Sequence, residues 1–303
     1  MECQMQIQPI TVPYRYDEPD EGLGLGPAAL LAAGLVDRLG KAGHQLTAVQ
    51  AASLADADRE EGRTAVNIGK LGASTAGLVA GALRSGSGVL VLAGDDTAAV
   101  GVVAGLQEFA GDARLGVVWF DAHGDFNTPD TSFSGILAGM PVAIIAGYAG
   151  PHWRGAAGLS TPVRTGRIML AGVRELDQKE EELLETTSVQ IVRADAVRER
   201  ESFAQAVHEF ATAIDLLLLH VDLDVLDPQY VPSSSTPSAN GLSIEDSVDA
   251  MASVFQTGKV IAVCVSSLNP GGGQRGVRSV KSAATLIEKG LVAWTAIPST
   301  AGN

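Results

Sequence analysis

Two acidic clusters, each directly behind a run of apolar residues, carry the side chains best suited to chemistry in this chain. The run 116–120 leads into Asp121-Ala122-His123-Gly124-Asp125, and about a hundred residues later the run 216–221 leads into Asp222-Leu223-Asp224. Alternate residues of an extended strand point to the same side, so the members of each pair can face one point in space. Because mutual repulsion makes such packing of carboxylates costly without a cation, the two pairs together indicate a divalent metal site.

The type of ligand narrows the choice of metal. A single Asp-x-Asp pair in a loop is usually a solvated turn, but here two pairs follow strand-like runs and one of them contains His123. Sites with mostly oxygen ligands and a minority of imidazole suit hard ions such as manganese, more than they suit the zinc of a thiolate site. We therefore expect a manganese site.

Composition favours one enzyme-sized α/β domain over residues 1–303. With 303 residues, 46% of them hydrophobic, the chain can bury a large core. A net charge of −14 argues against nucleic-acid binding, which requires clustered basic residues. Cys3 and Cys264 are too few for a disulfide framework, which is typical of a reducing compartment. The start has no basic flank or apolar region of a signal peptide, and no apolar run is long enough for a membrane span. We expect a cytoplasmic protein without membrane or nucleic-acid partners.

Short apolar runs rich in Val, Ile and Leu alternate with helical patterns. The predicted strands are Val89–Ala93, Val117–Phe120, Arg167–Leu170, Val189–Val192, Leu216–Val221 and Val260–Val265. The predicted helices are Pro27–Lys41, Ser74–Leu83, Ala98–Phe109, Gln178–Glu185, Phe203–Ile214, Ile244–Phe255 and Val280–Lys289. This alternation predicts a three-layer α/β/α fold with a mostly parallel, doubly wound sheet, where ligands bind beyond the carboxyl ends of the strands. The segment Val231–Asn240 is predicted to be a loop of the active site.

The motifs resemble those of a known family. WFDAHGDFNTPDTSFSGILAGMP (119–141) and HVDLDVLDPQYVPSSSTP (220–237) resemble the two central metal motifs of the arginase family, the ureohydrolases. AGDDTAAVG (93–101) and SSLNP (266–270) stand where that family has its first metal motif and a Glu-containing strand end. The resemblance implies the arginase-like fold, two Mn²⁺ per chain, a small-molecule substrate, and a homo-oligomer such as a trimer or hexamer.

The same resemblance implies roles for individual residues. The expected metal ligands are Asp96, Asp121, His123, Asp125, Asp222 and Asp224, with Asp121 and Asp222 between the two ions. Asp125 and His123 are the expected catalytic residues, since Asp125 is placed to pass a proton from a hydroxide to the leaving amine. Asn127, Ser134, Thr236 and Ser267 occupy positions at which arginases bind or shape their substrate. For Asn127, Ser134 and Thr236, ordinary hydrogen bonding within loops is an equally favoured alternative.

Several positions depart from the family pattern. Asp96 stands where the family has a histidine, which implies lower metal occupancy at that position because a carboxylate is shorter and adds negative charge. Ile136 and Ala138 replace an asparagine and a histidine credited with proton shuttling. Ser267 replaces the glutamate that binds the guanidinium. We therefore expect a substrate other than plain arginine, and a catalytically silent scaffold or binding protein is the alternative function.

Two further histidines have open roles. His152, in the sequence GPHWRG, is a candidate for replacing the missing shuttle from a neighbouring loop. His220 directly precedes the second acidic pair, and a role in the core or beside the ligands is favoured over direct ligation.

Overall fold

A computed structural model describes residues 5–298 of the chain. Among these residues the main sheet has nine strands, and every pairing in it is parallel. The strand order is β4-β1-β6-β11-β10-β7-β8-β9, with β5 pairing β1 farther along its length. A two-stranded antiparallel hairpin, β2-β3, lies outside this sheet.

The strands are β1 (Gln6–Val12), β2 (Tyr14–Arg15), β3 (Glu18–Pro19), β4 (Gln45–Leu46), β5 (Gln50–Ala51), β6 (Gly88–Ala93), β7 (Leu115–Phe120), β8 (Ile168–Val173), β9 (Gln190–Arg193), β10 (Leu216–Asp222) and β11 (Val260–Ser266). The α-helices are α1 (Gly26–Ala32), α2 (Leu35–Lys41), α3 (Thr64–Arg84), α4 (Ala98–Ala110), α5 (Pro141–Ile145), α6 (Pro151–Ala156), α7 (Gln178–Glu185), α8 (Ala194–Arg198), α9 (Arg200–Ala211), α10 (Ile244–Phe255) and α11 (Gln274–Leu291).

Helices cover both faces of the sheet, which confirms the three-layer α/β/α prediction. One apolar core packs α3, α4, α5 and α6 against one face, and a second core packs α2, α9, α10 and α11 against the other. Strands covered on both sides have no polar face, so β6, β7, β8, β10 and β11 are buried at every position.

All six predicted strands are present, with ends that differ by up to three residues. The first long strand, β1, was not predicted, because Gln6, Gln8 and Pro9 interrupt its apolar run. Pro9 is tolerated although β1 is paired on both sides, and Gln8 is satisfied by donating to the carbonyl of Ala48 at 2.6 Å.

The helices show larger corrections. The predicted helix Pro27–Lys41 is two helices, because Gly34 adopts a φ of +74° between them. The predicted helix Ser74–Leu83 begins ten residues earlier, at Thr64, and Phe203–Ile214 is shifted to Arg200–Ala211. The last predicted helix, Val280–Lys289, is extended at both ends to form α11. A capping box between Ser243 and Asp246 closes the start of α10.

Four central strands end at the same edge of the sheet. The order β6-β11-β10-β7 places the ends of strands that are far apart in sequence side by side, and their register pairs Asp222 with Ser266 and His220 with both Cys264 and Trp119. The acidic clusters at the ends of β7 and β10 therefore lie next to one another.

Helix length also bears on membrane insertion. Within residues 5–298 no single helix is long and apolar enough to cross a membrane, and only the bent pair Gly22–Ala32 and Leu35–Lys41 passes such a test, by length and composition alone.

Candidate metal centre

The two acidic clusters converge into two groups of possible ligands that share one residue. Asp121, His123 and Asp224 form the first group, and Asp96, Asp121 and Asp222 form the second. Within each group one ligand atom from every residue lies within 4.8 Å of the others. Asp121 is the residue that the two groups share, whereas Asp222 belongs to one of them.

In both acidic motifs, the backbone amide two residues further along donates a hydrogen bond to the side chain of the first aspartate. The amide of His123 donates to Asp121 Oδ1 at 2.7 Å, and the amide of Asp224 donates to Asp222 Oδ1 at 2.7 Å. These bonds between residues i and i+2 turn the chain sharply after β7 and β10. The two motifs therefore present their carboxylates in the same manner from two neighbouring strands.

Asp125 is held in an unusual backbone conformation. Its φ is +48°, in the left-handed region, and its carbonyl accepts hydrogen bonds from the amides of Val142 and Ala143 at the start of α5. Its Oδ2 is buried and has no hydrogen-bond partner within the part of the chain that the structure describes. A buried, unpaired carboxylate oxygen at the edge of a cavity is suited to a cation or a proton.

The buried side chains of the cluster shift one another's pKa values. Burial, followed by repulsion from Asp224, raises the pKa of Asp121 to about 7, and burial with repulsion from neighbouring carboxylates also raises the pKa values of Asp125 and Asp222. Burial alone would lower the pKa of His123, but its contacts with Asp121 at 3.2 Å and Asp224 at 3.3 Å raise it to about 11. The cluster thus favours bound positive charge, whether a proton or a metal ion.

Asp96 lies at the end of β6 with its side chain buried against β10 and β11. Its Oδ1 contacts His220 Nε2 at 2.9 Å and accepts a hydrogen bond from Ser266 Oγ at 2.6 Å, while its Oδ2 accepts one from Ser267 Oγ at 2.8 Å. Although burial raises the pKa of Asp96, the contact with His220 and these bonds outweigh it and lower the pKa overall. The hydroxyl of Ser267 is therefore engaged by Asp96, and the backbone of Ser267 has a φ of +66°.

A cavity of about 370 Å³ opens above the cluster. All four predicted substrate-binding residues line it, namely Asn127, Ser134, Thr236 and Ser267. Ile136 and Ala138, two of the positions expected to depart from the family pattern, line it as well. The predicted active-site loop 231–240 contributes Ser234, Ser235 and Thr236, and the hydroxyl of Thr236 donates to Asp224 Oδ2 at 2.8 Å.

Other residues of the site were not found from the sequence. Arg174 donates to the carbonyls of Asp224 at 2.6 Å and Ser238 at 3.0 Å, which fastens the loop 231–240 to the end of β10. Glu180 accepts from the amide of Phe126 at 2.8 Å and holds the segment after Asp125. Both lie in or just before α7, and their only sequence signal is a polar run after the apolar strand β8.

The cavity also has acidic and basic side chains away from the central cluster. Glu175 and Asp177 line it on one side, and Asn127 donates to Asp177 at 3.1 Å. Arg15 lines it on the hairpin β2-β3 and is the one basic side chain other than His123 among the described lining residues. By contrast, His152 is exposed on α6 and does not line the cavity, so the suggestion that it replaces the missing shuttle is not supported.

The donor set fits two divalent ions. Four buried carboxylates and one imidazole form the two groups. Asp125 belongs to neither group, but it is buried beside them, lines the cavity and has an oxygen without a partner within the described residues. Oxygen donors with a minority of imidazole match hard divalent ions. Without cations, this many buried carboxylates would repel one another strongly.

Comparisons with known proteins agree with this geometry. The family model described as "Arginase family" matches residues 6–292. The chain belongs to the arginase family. Its alignment with arginase from Bacillus caldovelox is 30% identical over 274 residues and covers 87% of this chain and 91% of that protein. Arginase from Bacillus subtilis strain 168 is 28% identical over 87% of this chain and 90% of its own length.

Solved arginase structures share the fold. The structure of Bacillus cereus arginase matches with a TM-score of 0.83 and 25% identity, over 94% of this chain and 98% of that one. Formimidoylglutamase from Bacillus subtilis, at 17% identity and a TM-score of 0.72, shares the fold. The four positions that are expected to depart from the family pattern, Asp96, Ile136, Ala138 and Ser267, all line the cavity.

Proposed function

We propose that this protein is a hydrolase that uses two manganese ions to cleave a non-peptide C–N bond of a guanidino, amidino or amide compound other than plain arginine. The observation that supports the proposal most directly is the pair of ligand groups that share Asp121 beneath a cavity. A family member without chemistry has no need to retain five buried carboxylates in mutual repulsion.

The ligands are proposed as follows. Asp121, His123 and Asp224 hold one ion, Asp96, Asp121 and Asp222 hold the other, and Asp125 adds its unpaired oxygen to the second. When bound, the ions would supply Lewis acidity and would lower the pKa of a bound water molecule. Asp125 lines the cavity, so its other carboxylate oxygen would hold a proton and would donate it to the leaving nitrogen.

The substrate is inferred from the cavity walls. Ser267 provides no carboxylate for a guanidinium, and its hydroxyl is already used by Asp96. Ile136 and Ala138 make the adjoining wall apolar. A cation buried there without a partner would be costly, which favours a neutral or weakly basic group at the reacting carbon. Asn127, Ser134 and Thr236 are proposed to position the remainder of a small substrate.

Family membership also supports two proposals, one on the number of domains and one on the oligomeric state. We propose that residues 1–303 form a single domain, and that the protein assembles into a homo-oligomer such as a trimer or a hexamer.

The activity is tested by screening guanidino, amidino and amide compounds for release of urea or ammonia in the presence of manganese. Asp125→Asn keeps the shape of the side chain but cannot accept the proton, so turnover of any hit should fall about 10²–10⁴-fold. Asp130→Asn is the matched control, because Asp130 is an exposed aspartate on the same loop. It should leave turnover unchanged.

A chain that binds two manganese ions but hydrolyses none of these compounds would contradict the proposal. That result would favour the alternative function, a catalytically silent arginase-like scaffold, which the substitutions at Asp96, Ala138 and Ser267 also suit. Equal turnover by Asp125→Asn and the unmodified protein would remove Asp125 from the proposed chemistry.

A further inference from the structure

Two stacked aromatic rings lie directly beneath the carboxylates. Trp119 on β7 and His220 on β10 are register partners in the sheet, and both side chains are fully buried. Their ring centroids are 3.5 Å apart with an angle of 14° between the ring planes. Stacking between two neighbouring strands leaves neither ring free to rotate, so the edge of each ring points in a fixed direction.

Each ring nitrogen contacts a different carboxylate of the candidate metal centre. Trp119 Nε1 donates to Asp121 Oδ2 at 3.0 Å, and His220 Nε2 lies 2.9 Å from Asp96 Oδ1. An ionised carboxylate accepts but does not donate, so Nε2 of His220 carries the proton in this contact. Nδ1 of His220 is then an acceptor, and it is without a hydrogen-bond partner among residues 5–298. The imidazole is thus committed to Asp96.

Asp96 is held from three sides. Besides His220, it accepts from Ser266 Oγ at 2.6 Å on Oδ1 and from Ser267 Oγ at 2.8 Å on Oδ2. A carboxylate has about four acceptor positions, so these donors leave about one, on Oδ2. An oxygen of Asp96 also lies within 4.8 Å of ligand oxygens of Asp121 and Asp222. The remaining lone pair is therefore available to a metal ion at that position.

We propose that His220, stacked on Trp119 and assisted by Ser266 and Ser267, is a positioning residue that orients Asp96 as a ligand with a single oxygen to the metal position it shares with Asp121 and Asp222. This inference rests on the proposed metal-dependent function. It explains how a carboxylate can serve where the arginase family has a histidine. Three donors fix the shorter side chain and offset part of its negative charge.

The test separates the hydrogen bond from the ring. His220→Phe retains a ring to stack on Trp119 but has no donor, whereas His220→Gln retains a donor without the stack. Manganese binding to the substrate-free protein is measured by titration calorimetry and by electron paramagnetic resonance of the bound ion. His220→Phe should weaken binding at one of the two positions by about 10–100-fold and leave the other unchanged. His220→Gln should show a smaller loss.

His208→Phe is the matched control, because His208 is an exposed histidine on α9. It should bind manganese as the unmodified protein does. Should His220→Phe fail to fold, Ser266→Ala and Ser267→Ala each remove one donor from Asp96, and each should weaken the same single position.

The possible results separate this inference from the proposed function. If folded His220→Phe, or the two serine variants, bound both ions with unchanged affinity, the positioning role would be wrong while the metal-dependent function would stand. If the unmodified protein bound no manganese, the proposed function and the positioning role would both be overturned.

Discussion

Asp121→Ala is expected to abolish binding of both metal ions, because Asp121 belongs to both groups of ligands. Bound manganese should fall from about two ions per chain to nearly none. Asp224→Ala removes a member of one group and should mainly weaken one position. The measurement is the metal content of each variant after dialysis against manganese, with circular dichroism to establish that the chain is folded.

Two further variants make this test specific. Asp121→Asn keeps the size of the side chain, and so controls for the loss of packing above Trp119. Asp112→Ala removes an exposed aspartate and should retain all bound manganese. Full occupancy in folded Asp121→Ala would show that the ligands have been assigned to the wrong residues.

Hydrolysis of arginine is expected to be at least about a hundredfold slower than hydrolysis by the arginase from Bacillus caldovelox, assayed side by side. Loss of a proton-transferring side chain costs about 10²–10⁴-fold in rate, and the resemblance to the family implies that Ala138 replaces such a histidine. Loss of a charge-assisted hydrogen bond at Ser267 costs roughly 1.5–3 kcal/mol in addition. The assay measures urea release with manganese and saturating arginine.

Restoring one group should separate binding from turnover. Ser267→Glu supplies the missing carboxylate and should lower KM for guanidinium compounds, while kcat recovers little because position 138 is still alanine. Ser267→Gln has the same length without the charge and is the matched control. Because both variants remove the bond from Ser267 to Asp96, their manganese content must be measured together with the kinetics.

Rapid release of urea from arginine by the unmodified protein would contradict this prediction. It would mean that another residue lining the cavity performs the work of the missing histidine and glutamate. Glu180 and Asp177 would then be the first residues to change, since both line the cavity and carry carboxyl groups.

The sheet and the acidic clusters could be predicted because their signals are local. Buried parallel strands read as continuous apolar runs, and Asp121, Asp125, Asp222 and Asp224 directly follow two of them. The doubly wound topology then brings the ends of these strands together without any further information. The loop 231–240 was predicted from the sequence itself, Asp96 was assigned by resemblance to the family, and both contribute to the lining of the cavity.

What the sequence did not reveal depends on contacts between distant residues. His220 and Asp96 are 124 positions apart, and Arg174 is 50 positions from Asp224, so no local pattern relates them. The stack of His220 on Trp119 depends on the register of two strands. Gly34 ends α1 through a positive φ, which a helical pattern of apolar residues does not disclose.

Metal analysis of the unmodified protein, purified without a chelator, tests the central claim most directly. The five carboxylates and the imidazole of His123 should hold close to two manganese ions per chain, as a site with two ions requires. Anomalous scattering at the manganese edge should place both ions beside Asp121. A folded chain that remains free of divalent metal after incubation with excess manganese would contradict the account.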